Sequence, residues 1–128
     1  MTVPKDFETY VTEQLAGAGS LRRVRMFGAV GLYIDDVFCV FLDAECRVWF
    51  RVGDSNRADF EAEGMEQLRP VSVPTGMPYY EVPAQVLESS QELCAWALRA
   101  RVEGVAAAQK KPKKQSKKTR ASRRKRSD

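Results

Sequence analysis

Arg47, Trp49 and Arg51 occupy alternate positions of the segment 47–52. An extended strand would therefore set one indole between two guanidiniums on a single face. Such an array can stack a nucleic-acid base or hold a cation against a ring. The favoured reading is an interior layer, with Trp49 under Tyr33 and Val40 and the arginine stems lying over it, followed by burial in a dimer. The C-terminal stretch is the other chemically distinctive one. Lys110, Lys111, Lys113, Lys114, Lys117, Lys118, Arg120, Arg123, Arg124, Lys125 and Arg126 place eleven cations in the last 20 residues, without Val, Ile, Leu or an aromatic among them. Charge without hydrophobic punctuation suits phosphate backbones, not base edges.

The remaining reactive groups point to packing. The chain has no His, which removes imidazole-based triads and His-containing zinc sites. Its three Cys (Cys39, Cys46 and Cys94) form no C-x-x-C, so neither a disulfide framework nor a metal site is expected, and a reducing compartment is. Tyr79, Tyr80 and Glu81 pair phenols with a carboxylate, but Tyr is a poor base unless its pKa is shifted, and edge-strand packing is the favoured use. Gly28-x-x-Gly31 lacks the Lys and Ser/Thr of a phosphate loop and reads as a bulge or a close backbone approach. Asp54 and Asn56 read as helix caps, with Arg57 pairing Glu61 at i+4. No catalytic residue, cofactor or metal is expected. An enzyme would need Arg25, Arg51, Tyr80 and Glu81 to converge in one pocket.

These groups need elements to hold them. Phe7, Tyr10, Val11 and Leu15 share one face of a first helix, started at Pro4 and stopped by Gly17 and Gly19. After a basic stretch, 21–25, the run 26–34 reads as strand, glycine break and strand. Asp35-Asp36 is a turn, Val37 to Leu42 a buried strand, and Arg47 to Val52 an alternating one. Two-residue turns at Asp35-Asp36 and Ala44-Glu45 would oppose Ile34 to Val37 and Asp43 to Cys46. One face then collects Val30, Leu32, Ile34, Val37, Cys39, Phe41, Val48, Phe50 and Val52, all apolar. The opposite face collects Gly31, Tyr33, Phe38, Val40, Leu42, Arg47, Trp49 and Arg51, and is apolar enough to need a cover. Arg57 to Glu63 forms a short helix stopped at Gly64. Leu68, Val71 and Val73 alternate less regularly, 77–83 is a strand bounded by prolines, and a last helix begins near Val86. The expected class is α+β, in the order helix, three or four strands, helix, two strands, helix.

Charge is segregated along the chain. Residues 1–108 carry 10 basic and 16 acidic side chains, a net −6, whereas residues 109–128 carry 11 cations and Asp128, a net +10. The second stretch lacks the apolar surface to offset the entropy of ordering it. The expected organisation is a folded domain, 1–108, with a disordered basic tail, 109–128. No signal peptide or membrane span is visible, and no membrane role is expected.

Arg25-Met26-Phe27-Gly28-Ala29-Val30-Gly31-Leu32-Tyr33 resembles the signature strand pair of the TfoX N-terminal domain, or Sxy-like, family. The segment 56–64 is similar to that family's middle helix, and 77–83 to its late strand. The resemblance spans roughly residues 5–102 and implies a two-layer α+β sandwich similar to secretion-chaperone-like domains. It also implies a cytoplasmic bacterial regulator of natural competence acting with a transcription regulator at promoters. It implies neither cofactor nor catalytic residue. Ala29 stands where the family usually has a second glycine, and Arg51 where a Lys is common. The basic stretch stands where full-length members carry a helical C-terminal domain.

The expectation that follows is a non-enzymatic regulatory or adaptor protein. Tyr33, Phe38, Trp49, Arg47 and Arg51 would form a protein-interaction face, for a transcription regulator or for a second copy in a homodimer. The eleven cations would contact the phosphate backbone of DNA or RNA. The alternatives are a dimeric chaperone-like adaptor with an idle tail and an enzyme of unknown chemistry.

Overall fold

Asp35 and Asp36 both take positive φ, 49° and 68°. That is the geometry of the primed two-residue turn whose twist matches a β-hairpin. The Asp35 carboxylate also accepts from the Ser20 amide at 2.9 Å. This turn joins the central strands of a five-stranded antiparallel sheet in the computed structural model, which describes residues 2–26 and 28–110. The strands are β1 (Leu21–Met26), β2 (Ala29–Ile34), β3 (Val37–Leu42), β4 (Val48–Arg51) and β5 (Tyr79–Glu81), side by side in chain order. The helices are α1 (Lys5–Gln14), followed by a 3₁₀ turn at Ala16–Ala18, then α2 (Arg57–Ala62), α3 (Ala84–Leu87) and α4 (Ser90–Lys110).

The helices lie on one side of the sheet, giving an α+β fold in two layers. α4 presents Leu93, Ala97, Ala100 and Gly104 at helical spacing to β3 and β4. At Gly104 a Cβ would meet Val37 Cγ1 at 2.8 Å and the Phe38 carbonyl at 3.1 Å, so its hydrogen lets the helix settle on the strand. α2 reaches the same layer through Phe60, whose ring centroid lies 4.8 Å from Trp96 of α4 and 5.8 Å from Tyr80. α1 is tied down by Glu8, which accepts from Arg23 at 3.0 Å and Arg25 at 3.1 Å on β1. Val11, Leu15, Leu32, Ile34, Val40, Leu42, Phe50 and Leu93 have no exposed surface. Each such burial contributes about 1.5–3 kcal/mol relative to exposure.

The register departs from the expected one in two places. Between Leu32 and Tyr33 the β2–β3 pairing steps from Val40 to Phe38, leaving Cys39 as an extra residue on β3. That bulge reverses the alternation beyond it, so Val40 and Leu42 turn into the core and Phe41 turns out. The expected two-residue turn at Ala44-Glu45 is instead a longer loop. Arg47 replaces Cys46 opposite Asp43, the Asp43 amide donates to the Arg47 carbonyl at 3.1 Å, and Cys46 takes φ 64°. Ala-Glu has no residue suited to a primed turn, whereas the Asp43 carboxylate accepts from the amides of Glu45 and Arg47 at 2.9 and 3.0 Å. Phe41 thus pairs with Trp49, not Val48.

Three element expectations also change. The basic stretch is itself strand β1. The two late strands reduce to β5 and one isolated bridge, Gln67 to Tyr80, while Val71 is 99% exposed. The last helical region is broken at Glu88–Ser89 into α3 and α4, and α4 runs two residues past the expected boundary at 108. No helix among the described residues is long and apolar enough to cross a membrane.

Candidate interaction face

The side of the sheet away from the helices is built by alternation. Arg22 opposes Tyr33 and Val24 opposes Gly31 across β1–β2, and Tyr33 opposes Phe38 and Gly31 opposes Phe41 across β2–β3. Phe41 then opposes Trp49, and Trp49 and Arg51 oppose Glu81 and Tyr79 of β5. Tyr33, Phe38, Trp49, Arg47 and Arg51 therefore share one face, as expected. Phe41, Tyr79 and Arg22 join them, and Val40 and Leu42 leave it for the core.

The rings form a chain across four strands. Centroid separations are 5.3 Å for Tyr33–Phe38, 6.2 Å for Phe38–Tyr79, 5.2 Å for Tyr79–Phe41 and 6.3 Å for Phe41–Trp49. Each of three guanidiniums lies over one ring. Arg22 is 4.1 Å from the Tyr33 centroid, Arg47 5.3 Å from Trp49 and Arg51 5.6 Å from Tyr79. These distances lie within cation–π range. Burial is uneven: Trp49 and Tyr79 are each 3% exposed, whereas Tyr33, Phe38 and Phe41 are half-buried, Phe38 beside a cleft that it shares with the last turns of α4. Trp49 is thus an interior layer, as its favoured reading had it, but it packs on Phe41 instead of Tyr33 and Val40.

The two ends of the face differ in charge. At the Trp49 end, Asp43 Oδ2 accepts from Trp49 Nε1 at 3.1 Å and from Arg47 Nε at 3.0 Å, and Arg47 also pairs with Glu45. Partial burial raises Glu81 above its usual carboxylate range, opposed by Arg47 and reinforced by Asp43 and Glu66. At the other end, Arg22 and Arg51 join no ion pair among the described residues. Burial raises Tyr79, beneath Arg51, above its ordinary value against the opposing pull of that guanidinium.

Arg25, Arg51, Tyr80 and Glu81 do not converge. Arg25 is held by Glu8 on the helical side and Tyr80 points to Phe60 on that side, whereas Arg51 and Glu81 stand on the open face. Asn56 does not cap α2. It is 1% exposed, accepts from the Gly53 amide at 2.9 Å and donates to the Arg51 carbonyl at 3.0 Å. Arg57 pairs with Asp54 at 3.3 Å instead of Glu61. A Cβ on Gly31 would meet Phe38 Cε1 at 2.5 Å, which makes this glycine a close approach. The bulge lies elsewhere, at Cys39. Burial pushes the Cys39 thiol up to about 12, Cys46 is exposed, and Cys94 donates to the Gln14 carbonyl. The proposed nucleic-acid contacts Lys111 to Arg126 lie outside the described residues, as does the expected disorder of that stretch, and the described backbone reaches only Lys110.

Poor turn chemistry at Ala44-Glu45 was the available signal for the pairing of Phe41 with Trp49, whereas the outward turn of Phe41 itself comes from the bulge at Cys39. Tyr79 was readable from alternation against Tyr80. Among comparisons with known proteins, the model of the family described as the TfoX N-terminal domain matches residues 13–103. No curated protein matches the chain.

Proposed function

Because the chain belongs to the TfoX N-terminal domain family, we propose that it is a non-enzymatic regulatory or adaptor protein of cytoplasmic transcription and competence control. It holds DNA or RNA through its basic C-terminal residues and meets a protein partner, a transcription regulator, through its folded body. The observation that carries this reading is the division of charge, −6 over residues 1–108 and +10 over residues 109–128. α4 supports it. Anchored in the core at Leu93, Ala97 and Ala100, the helix runs unbroken to Lys110 and so starts the basic stretch from one fixed end of the body. The separation of Arg25 and Tyr80 from Arg51 and Glu81 supports the non-enzymatic half. If about 6 phosphates are met on duplex DNA, log K falls with log salt at a slope of roughly −5. The test is fluorescence anisotropy of a labelled duplex with the full chain and with a full-length variant whose Lys and Arg at 111–126 are glutamine. The expected result is steep salt dependence and loss of binding in the variant; equal binding by both overturns the reading.

A dimeric chaperone-like adaptor with an idle tail is the second reading. It is favoured by Tyr33, Phe38 and Phe41 standing half-buried on the side of the sheet away from the helix layer. Sedimentation decides it: a dimer that Tyr33→Glu splits supports it, and a monomer at every concentration removes it.

A further inference from the structure

The sheet has two edges, and the chain closes one of them. At β5 the preceding residues take up outer backbone groups: the Leu68 amide donates to the Tyr79 carbonyl at 2.8 Å, and the Glu81 amide donates to the Glu66 carbonyl at 3.1 Å. β1 has no such cover. The Asp35 amide donates to the Ser20 carbonyl at 2.8 Å, which makes Ser20 and Asp35 a hydrogen-bonded pair. With the register, the backbone groups of Arg22 and Val24 then face β2. Those of Leu21, Arg23 and Arg25 point outwards, and none meets a backbone partner among the described residues. Arg22, Arg23 and Arg25 are exposed, on both sides of that edge. Arg23 and Arg25 lean to α1, where with Lys5 and Thr9 they line a cleft of about 430 Å³ whose one acid is Glu8. Arg22 lies over Tyr33 on the opposite face. Asp35 stands beyond the Leu21 end, with its carboxylate on the Ser20 amide.

We propose that β1 is a docking edge for an extended, acidic segment of a partner protein, which adds to the sheet beside it. Main-chain bonds to Leu21, Arg23 and Arg25 supply affinity, and alternate carboxylates meet Arg22 on one face and Lys5, Arg23 and Arg25 on the other. A bare edge accepts any strand unless something discriminates, and here charge does. A second copy pairing antiparallel through the same outward groups is rejected. Any such register that overlaps the strands by more than their last residue sets Arg22 against Arg22, Arg23 against Arg23 or Arg25, or Arg25 against Arg25. Like charges directly opposite destabilise a strand pair. The chain's own basic residues at 110–126 are repelled in the same way. Glu8 offsets only one of the two arginines it holds, so with Lys5 and Arg22 the edge stays cationic. The inference rests on the adaptor reading for the existence of a protein partner and uses none of the nucleic-acid contacts.

The probe is a labelled peptide of alternating glutamate and valine, with a lysine–valine peptide as its counterpart. Anisotropy reads binding, and nuclear magnetic resonance reads backbone amide exchange. Both are measured on the full chain and on the full-length variant with glutamine at the Lys and Arg positions of 111–126, which removes the basic stretch as a rival for the acid. In that variant the glutamate peptide is expected to bind about tenfold tighter than the lysine peptide. At saturation it slows exchange of the Leu21, Arg23 and Arg25 amides about tenfold and leaves β5 unchanged. Arg23→Leu and Arg23→Pro both lose the guanidinium, but only proline loses the outward amide, a loss that edge strands tolerate. Proline is expected to weaken the peptide about fivefold more than leucine. Arg22→Gln, at an exposed position away from Glu8, weakens it about threefold and decides the matter if the proline variant does not fold. Equal binding of the two peptides, binding without protection of those three amides, or no binding at millimolar peptide overturns the docking edge. So does protection of the same amides in an unliganded chain that sediments as a dimer, which makes a second copy the occupant. Duplex binding does not depend on Arg23, so its absence from the full chain counts against the nucleic-acid reading alone.

Discussion

Replacing Arg23 and Arg25 together by leucine is expected to destabilise the fold more than replacing the acid they share. The Glu8 side chain is 4% exposed and accepts one bond from each guanidinium, at 3.0 and 3.1 Å, whereas the arginine side chains are 54% and 62% exposed. Glu8→Gln therefore releases two cations that water already reaches. The loss is two charge-assisted hydrogen bonds at a half-exposed site, about 1–2 kcal/mol. The double leucine variant strands a carboxylate under α1. Breaking a buried pair in that way costs about 3–5 kcal/mol, and the lower end applies because the departing side chains admit some water. Either arginine alone is dispensable at about 1 kcal/mol, since the other stays within reach. With a urea slope of about 1.5 kcal/mol/M, a 3 kcal/mol loss moves the midpoint by about 2 M. Adding Glu8→Gln to the double variant removes the stranded charge and is expected to restore at least half of that shift. Urea titration by far-UV circular dichroism reads all five variants beside the unaltered chain. A double variant no less stable than Glu8→Gln, or a triple variant that recovers nothing, would refute the assignment of Glu8 as a buried anion held by two surface cations.

Asn56→Ala leaves the Gly53 amide and the Arg51 carbonyl without their partner in a buried position, and a loss of about 2 kcal/mol in thermal or urea unfolding is expected. Gly31→Ala forces the Phe38 ring from a site only 2.5 Å from the new methyl, costing about 1–3 kcal/mol, while the Met26 end at 2.9 Å gives way easily. The Cys39 thiol, raised from 9.0 to about 12 by burial against the opposing Ile34 backbone and Arg101, keeps its proton in the folded chain where the unfolded chain sheds it. Its share of stability is therefore whole below pH 9 and declines by up to about 1.4 kcal/mol per pH unit from 9 towards 12. Cys39→Ala abolishes that share, so parallel stability–pH curves for the two proteins would contradict it. Iodoacetamide is expected to modify Cys46 in the native chain and to spare Cys39 until unfolding, as mass spectrometry of the digested protein would show.

Much of the architecture was legible because local chemistry agreed with it. Val11 and Leu15 fall on the buried face of α1, the paired aspartates make the turn, Gly64 stops α2 at φ 71°, and the prolines at 78 and 83 bracket β5. The contacts of Glu8 and Asn56 were not legible. Glu8 reaches arginines 15 and 17 residues on, across elements, and Asn56 turns back to Gly53 and Arg51 where its type suggests a cap on the helix ahead. The open face was half legible. Its arginines and Tyr33 follow from period-two alternation, but its accessible centre does not.

That failure has one physical source. Val37 to Leu42 is apolar at every position, so periodicity cannot say which side each residue takes, and only pairing can. Two errors of one residue then cancel. The extra residue at Cys39 flips the far half of β3, and the extra residue in the loop after Asp43 flips β4 back, so Val48 and Phe50 reach the core from a register that was wrong on both sides of them. Agreement of an all-apolar face with two assumed turns was therefore weaker support than it looked, because a second register satisfies the same core. What distinguishes the two is the other face. With the bulge, Phe41 leaves a core already filled by Val40 and Leu42, stacks on Trp49 and meets Tyr79 edge to face. A buried valine–leucine pair thus replaces one phenylalanine inside, and a further ring appears outside. Phe41 then stands half-buried between two buried rings, Trp49 and Tyr79, a position that the all-apolar run of β3 cannot disclose by itself.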